Sequence, residues 1–123
     1  MEVIYMANAN PNIDDNRTLL RLAQALEEFE SFSGTMPVSQ VRTFFLVASH
    51  EGKSQGELAM LADLKVSTIS RYLLDLSEKT RKGAEGYGLI RREADPQELR
   101  RNMYSLTPKG RNLASRIVAE LRK

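Results

Sequence analysis

The chain has 123 residues, 41% of them hydrophobic and 28% charged, the balance of a single soluble globular domain with one core. It has no cysteine, which excludes disulfides and thiolate metal sites and fits a cytoplasmic location; no apolar run approaches a membrane span, and Val3-Ile4-Tyr5-Met6 is too short for a signal-peptide core. The formal net charge of +2 is unevenly spread: residues 1–64 sum to −5, residues 65–111 to +5 and the last twelve to +2. Positive charge gathered in one part of a chain is what contact with a polyanion such as DNA requires.

Residues 1–16 include ANANPNIDDN, whose Asn and Pro predict a flexible arm ahead of a domain over 17–123. Asp14, Asp15 or Asn16 can cap a helix from Arg17 to Phe32, with Leu19, Leu22, Ala23, Leu26 and Phe29 as its apolar stripe. Gly34-Thr35-Met36-Pro37 ends it. Ser39 is expected to cap a second helix with Val41, Phe44, Phe45 and Ala48 on its inner face, closed by Gly52. His50, the only histidine, sits at that helix end, where a structural role is expected.

The segment SQGELAMLADLKVSTISRYLLDL, Ser54 to Leu76, reads as two short helices around a tight turn. Ser54 with Glu57 three residues later forms a capping box. Leu58, Ala59, Leu61 and Ala62 recur at helical spacing, and Asp63 can take the left-handed conformation a turn needs. Val66, Ile69, Leu73 and Leu76 form the inner face of the next helix. Lys65, Ser67, Thr68, Ser70 and Arg71 are left outside. Ser and Thr are poor helix formers, so a helical hairpin with a purely structural role has no reason to expose them in succession. A DNA-binding helix-turn-helix does.

After Leu76 a polar stretch with glycines at 83, 86 and 88 precedes two alternating runs, Leu89 to Glu93 and Asn102 to Leu106, around a charged tip. That is a β-hairpin, and directly after a recognition helix it is a wing. Thr107-Pro108 then starts a last helix, as N-cap and first-turn proline, burying Leu113, Ile117, Val118 and Leu121. The fold class expected is mainly α with a small β-hairpin: a winged helix-turn-helix.

From about Gln40 onward, SQGELAMLADLKVSTISRYLLDL and GLIRREADPQELRRNMYSLTPKGRNLA resemble MarR-type transcriptional regulators. That family carries a wing of the form Asp-Pro-x-Asp-Arg-Arg, then Leu-Thr-x-x-Gly. Here Leu106 follows Asp95 by eleven residues, the family spacing, and Thr107-Pro108-Lys109-Gly110 matches the closing motif. By position, Arg100 matches the second wing arginine, which the family places in or near the minor groove. Leu99 stands where the family has the first arginine, Glu98 where it has an aspartate, and Arg101 is basic just beyond. The resemblance has two departures. The chain stops at Lys123 after about one terminal helix where the family has two, and Thr80–Tyr87 lengthens the link between recognition helix and wing. The family's effector pocket lies against the dimerisation helices, so the short terminal region gives no expectation of an effector here.

The function expected is sequence-specific recognition of double-stranded DNA by a homodimeric transcriptional repressor. Ser67, Thr68, Ser70 and Arg71, with Lys65, would reach bases or phosphates in the major groove, Ser54 and Gln55 would meet phosphates, and Arg100 and Arg101 would enter the minor groove. Leu19, Leu22, Leu26 and Phe29 with Leu113, Ile117 and Leu121 are expected to build the dimer. The alternatives are a winged helix that docks on a protein, such as polymerase or another regulator, and a DNA-binding replication or partition factor. No cofactor, metal site, membrane association or catalytic constellation is expected: the residues show no phosphate-cradling glycine motif and no metal-ligand cluster.

Overall fold

A computed structural model of the chain describes residues 13–78 and 85–123. Most of the expected flexible arm and most of the Thr80–Tyr87 extension therefore lie outside the described residues. The described elements are helices α1 (Ile13–Glu30), α2 (Val38–Ser49), α3 (Gln55–Ala62) and α4 (Val66–Leu76), strands β1 (Ile90–Asp95) and β2 (Glu98–Leu106), and helix α5 (Pro108–Leu121).

Two helix starts differ from the sequence reading. Helix α1 begins at Ile13, so Asp14 and Asp15 are not caps but first-turn residues, where negative charge complements the helix dipole. Helix α2 begins at Val38 behind Pro37, which places Ser39 inside the first turn. The Ser39 hydroxyl instead shares a 2.7 Å hydrogen bond with the Tyr72 hydroxyl on α4. His50 is the C-cap of α2, and Gly52 lies two residues beyond, at φ +93°, in a backbone region open to few residues besides glycine.

The core is drawn from every helix and from the hairpin. Phe44 and Val47 of α2, Leu58 of α3, Ile69, Leu73 and Leu76 of α4, Ile90 of β1 and Leu113 of α5 are fully enclosed. Phe29 of α1 meets Phe44 and Phe45 edge-on, each with ring centroids 5.6 Å apart. Helix α1 packs mainly on α5, and Arg116 Nε donates to Glu28 Oε1 between them at 3.0 Å.

Several residues expected inside are not. Leu61, Val66, Val118 and Leu121 are exposed. Leu19, Leu22 and Leu26 of α1, expected in a dimer face, are exposed too, as is Leu20, while Ala25 and Phe29 face the core. Helical spacing fixes which residues share a face but not where the neighbouring surface stops. Leu58, Ala59 and Ala62 fill the arc that α3 turns inward, leaving Leu61 at its edge, and Val66 is the first residue of its helix. Phe29, Leu113 and Ile117 belong to the core of the domain itself and are not free to build a dimer face.

Glycine is required where α5 begins. A Cβ on Gly110 would stand 2.0 Å from the Leu89 carbonyl oxygen, so the first turn of α5 can lie against the chain entering β1 only without a side chain there. Thr107 secures the same junction: its hydroxyl donates to the Gly88 carbonyl at 2.6 Å and accepts from the Gly110 N–H at 3.0 Å. The N-cap and first-turn proline expected for this helix are both present.

Candidate nucleic-acid interface

Helix α3 and the turn that joins it to α4 are both built by local chemistry. Ser54 Oγ accepts from the Glu57 N–H at 3.2 Å and Glu57 Oε1 accepts from the Ser54 N–H at 2.8 Å, which completes the capping box. Asp63 closes α3 in the left-handed conformation, φ 56° and ψ 48°. The Leu64 N–H returns to the Ala59 carbonyl at 3.0 Å, and Arg42 Nη2 donates to the Ala62 carbonyl at 3.2 Å, so the end of α3 is satisfied from its own chain and from α2.

Helix α4 is the second helix of the helix-turn-helix, the place of a recognition helix in that motif. Ile69, Leu73 and Leu76 hold its inner face, while Tyr72 and its carbonyl are tied to Ser39 and Gln40 of α2. Lys65, Ser67 and Arg71 are exposed, and Thr68 and Ser70 are half-buried. Lys65 is the N-cap, in extended backbone. Ser67, Ser70 and Arg71 fall at helical spacing on one side. Ser54 and Gln55, half-buried at the start of α3, complete the set from the helix-turn-helix.

The hairpin pairs Ile90 with Leu106 through Ala94 with Asn102, then slips in register before Asp95 meets Glu98 across a tight tip. Asp95 Oδ1 accepts from the Gln97 N–H at 2.9 Å, which shapes the turn. Leu99, 77% exposed, and Arg100 stand on the outer part of the wing.

Arg101 is placed otherwise. Its guanidinium donates to Asp95 Oδ2 at 2.9 Å, to the Gly52 carbonyl at 3.3 Å and to Glu57 Oε1, and the side chain is only 26% exposed. Arg101 thus ties the wing to the start of α3, and of the two wing arginines singled out in the sequence only Arg100 stands free of such bonds among the described residues. The Ser54 N–H, with Arg101 next, holds the Glu57 carboxyl down at about 2. The Gln97 N–H and Arg101 lower the Asp95 carboxyl in the same way. A second brace joins Glu51 to Arg111 through two bonds of 2.8 and 3.0 Å, with Glu51 Oε1 also accepting from the Leu106 N–H at 2.8 Å.

Two grooves flank these elements. One of about 500 Å³ lies between α4 and the wing and includes Gln55, Ser70, Arg91, Arg92 and Tyr104 in its lining. Arg92 and Tyr104 were not singled out from the sequence. The only available signal was the basic pair Arg91-Arg92 at the start of a strand, and strand alternation does not say which of the two faces the recognition helix. The other groove, about 730 Å³, runs between α2 and α5 and is lined by Phe45, Ser49, Arg111, Ile117, Val118 and Arg122 among others. Among the described residues there is no cluster of three or more His, Cys, Asp or Glu able to hold a metal, and no helix is long and apolar enough to cross a membrane.

No protein-family model and no curated protein matches the sequence. Solved structures do. A MarR-family transcriptional regulator from Silicibacter pomeroyi superposes with a TM-score of 0.57 at 25% identity, over 89% of this chain and 67% of that one. A point mutant of MepR from S. aureus gives 0.60 at 26% identity, over 79% and 65%. The fold is that of the MarR-family regulators. The complex of S. aureus MepR with DNA gives a TM-score of 0.64 at 24% identity, covering 89% of this chain and 80% of that one. The chain spans about two thirds of the length of the first two MarR-type structures. The MarR likeness agrees with the helix-turn-helix, wing and Thr-Pro-Lys-Gly junction read from the residues.

Proposed function

We propose that this chain is a sequence-specific double-stranded DNA-binding transcriptional regulator, acting in the cytoplasm as a homodimeric repressor and not as an enzyme. The observation that carries the reading is the joint exposure of Ser67 and Arg71 on α4 and Arg100 on the wing, in a MarR-type fold of which one relative was solved with DNA. Ser67, Arg71, Lys65 and the half-buried Thr68 and Ser70 would face the major groove, Ser54 and Gln55 the flanking phosphates, and Arg100 the minor groove, whose negative potential attracts arginine. Arg101 is assigned to holding the wing in place, not to DNA. The dimer reading moves to the exposed apolar residues Leu19, Leu22, Leu26 and Leu121, joined by Leu20 and Val118. Two copies would set recognition helices about 34 Å apart, one turn of DNA.

Selection of bound duplexes from a random pool tests this. The expected result is a two-fold symmetric site whose affinity falls steeply with salt. No enrichment, together with salt-independent binding, would overturn it and favour a winged helix that docks on protein.

A further inference from the structure

The groove between α4 and the wing holds a cation with no acidic partner. Arg92 is exposed and makes no ion pair among the described residues. It lies directly across the strand ladder from Tyr104, whose ring is largely buried, and both residues line the groove. Its cross-strand neighbour is thus a neutral phenol, which leaves the charge of the guanidinium uncancelled. Neighbouring Arg91 differs, since its charge acts on Glu51. Glu78 is the carboxylate in the groove lining, against the two arginines. Ser70 and Gln55 supply further polar atoms to the same groove.

The groove also continues the recognition surface. Ser70 lines it and lies one helical turn from Ser67 and next to Arg71. A duplex with α4 in its major groove and the wing in the adjoining minor groove must carry one strand of its backbone across the space between them.

We propose that this groove is a seat for one phosphodiester of the DNA backbone, with Arg92 as the contacting cation and Tyr104 as the residue that aims it. The inference rests on the DNA-binding reading above. A phosphate contact adds affinity on every sequence and reads none of them.

The test is salt-dependent binding of Arg92→Ala and Tyr104→Phe to the selected duplex and to several mismatched duplexes, with the melting temperature of each variant as a check on folding. Arg92→Ala is expected to weaken binding roughly tenfold on all duplexes alike and to reduce the slope of log K against log salt by about one. Tyr104→Phe is expected to weaken binding less, with Arg92→Ala adding little in its background. An unchanged slope in Arg92→Ala overturns the proposal alone. A loss confined to one base position makes Arg92 a base reader and also overturns it. Absence of salt-dependent binding by the unsubstituted chain overturns both this and the DNA-binding reading.

Discussion

Arg101 on the second wing strand donates to the carboxylate of Glu57, the residue that closes the capping box of the first helix of the helix-turn-helix. One carboxylate thereby serves a helix start and a wing at once, since its Oε1 also accepts from the Ser54 N–H. Arg101 extends the link to the wing tip through Asp95 and to the loop before α3 through the Gly52 carbonyl. The wing is therefore keyed to the start of α3, the helix that precedes α4 in the helix-turn-helix.

This brace sets an acid limit on stability. The Ser54 N–H and Arg101 depress Glu57 from 4.5 to about 2, and Asp95 and Glu51 are shifted downward as well. A depressed carboxylate contributes fully above its unfolded value and loses that contribution as pH falls toward its folded one. Melting temperature is therefore expected to change little from these groups between pH 7 and about 5 and to fall between about 4.5 and 2. Glu57→Gln keeps a side chain able to complete the capping box but removes the charge, so its acid decline should be shallower. Matching pH profiles for the two proteins would refute the assignment.

Arg71→Ala is expected to lower specific DNA affinity at least tenfold with little change in melting temperature. Arg71 is exposed on α4, and one well-made contact to a base is worth roughly 1–3 kcal/mol. Filter binding or fluorescence anisotropy on the selected duplex measures it. Unaltered affinity would mean that α4 is not the reading helix.

Arg100→Ala should reduce the salt slope by about one and leave stability intact, because the side chain is exposed and the wing is held by its neighbour. Arg101→Ala should behave oppositely, lowering the melting temperature first and DNA affinity through the displaced wing. Equal stability loss in both variants would contradict this division of roles.

Gly110→Ala is expected to destabilise the domain by roughly 2 kcal/mol, or about 8 °C in melting temperature. The added Cβ would fall 2.0 Å from the Leu89 carbonyl oxygen, a backbone atom that cannot turn aside. Gly34→Ala, where a Cβ meets nothing within 4 Å, is the control and should be nearly neutral.

Leu22→Glu with Leu26→Glu is expected to abolish the dimer and leave the monomer folded. These side chains are 45% and 40% exposed, and Leu19 beside them is 56% exposed. Sedimentation at micromolar concentration should show a dimer for the unsubstituted chain and a monomer for the variant. An unsubstituted chain that sediments as a monomer removes the dimer from the proposed function.

Local chemistry was legible in the sequence because its partners lie within a few residues. The capping box at Ser54 and Glu57, the left-handed Asp63, the Thr107-Pro108 helix start and the hairpin around Asp95 each follow from hydrogen bonds and backbone preferences spanning at most four positions. The order of helices and wing followed from those signals and from hydrophobic period. What the sequence could not decide was where each face ends and which partner each charge finds. Leu61 and Leu113 have the same side chain and sit in equally periodic helices, yet one is exposed and the other fully buried. Arg100 and Arg101 are adjacent and alike, but successive strand residues point to opposite faces, and Arg101 meets Glu57, forty-four residues earlier, and the Gly52 carbonyl as well as nearby Asp95. Arg92 gained its setting the same way, from Tyr104 across the ladder and Ser70 on another element. Contacts between distant residues depend on how the elements pack, and that packing is a property of the tertiary structure alone.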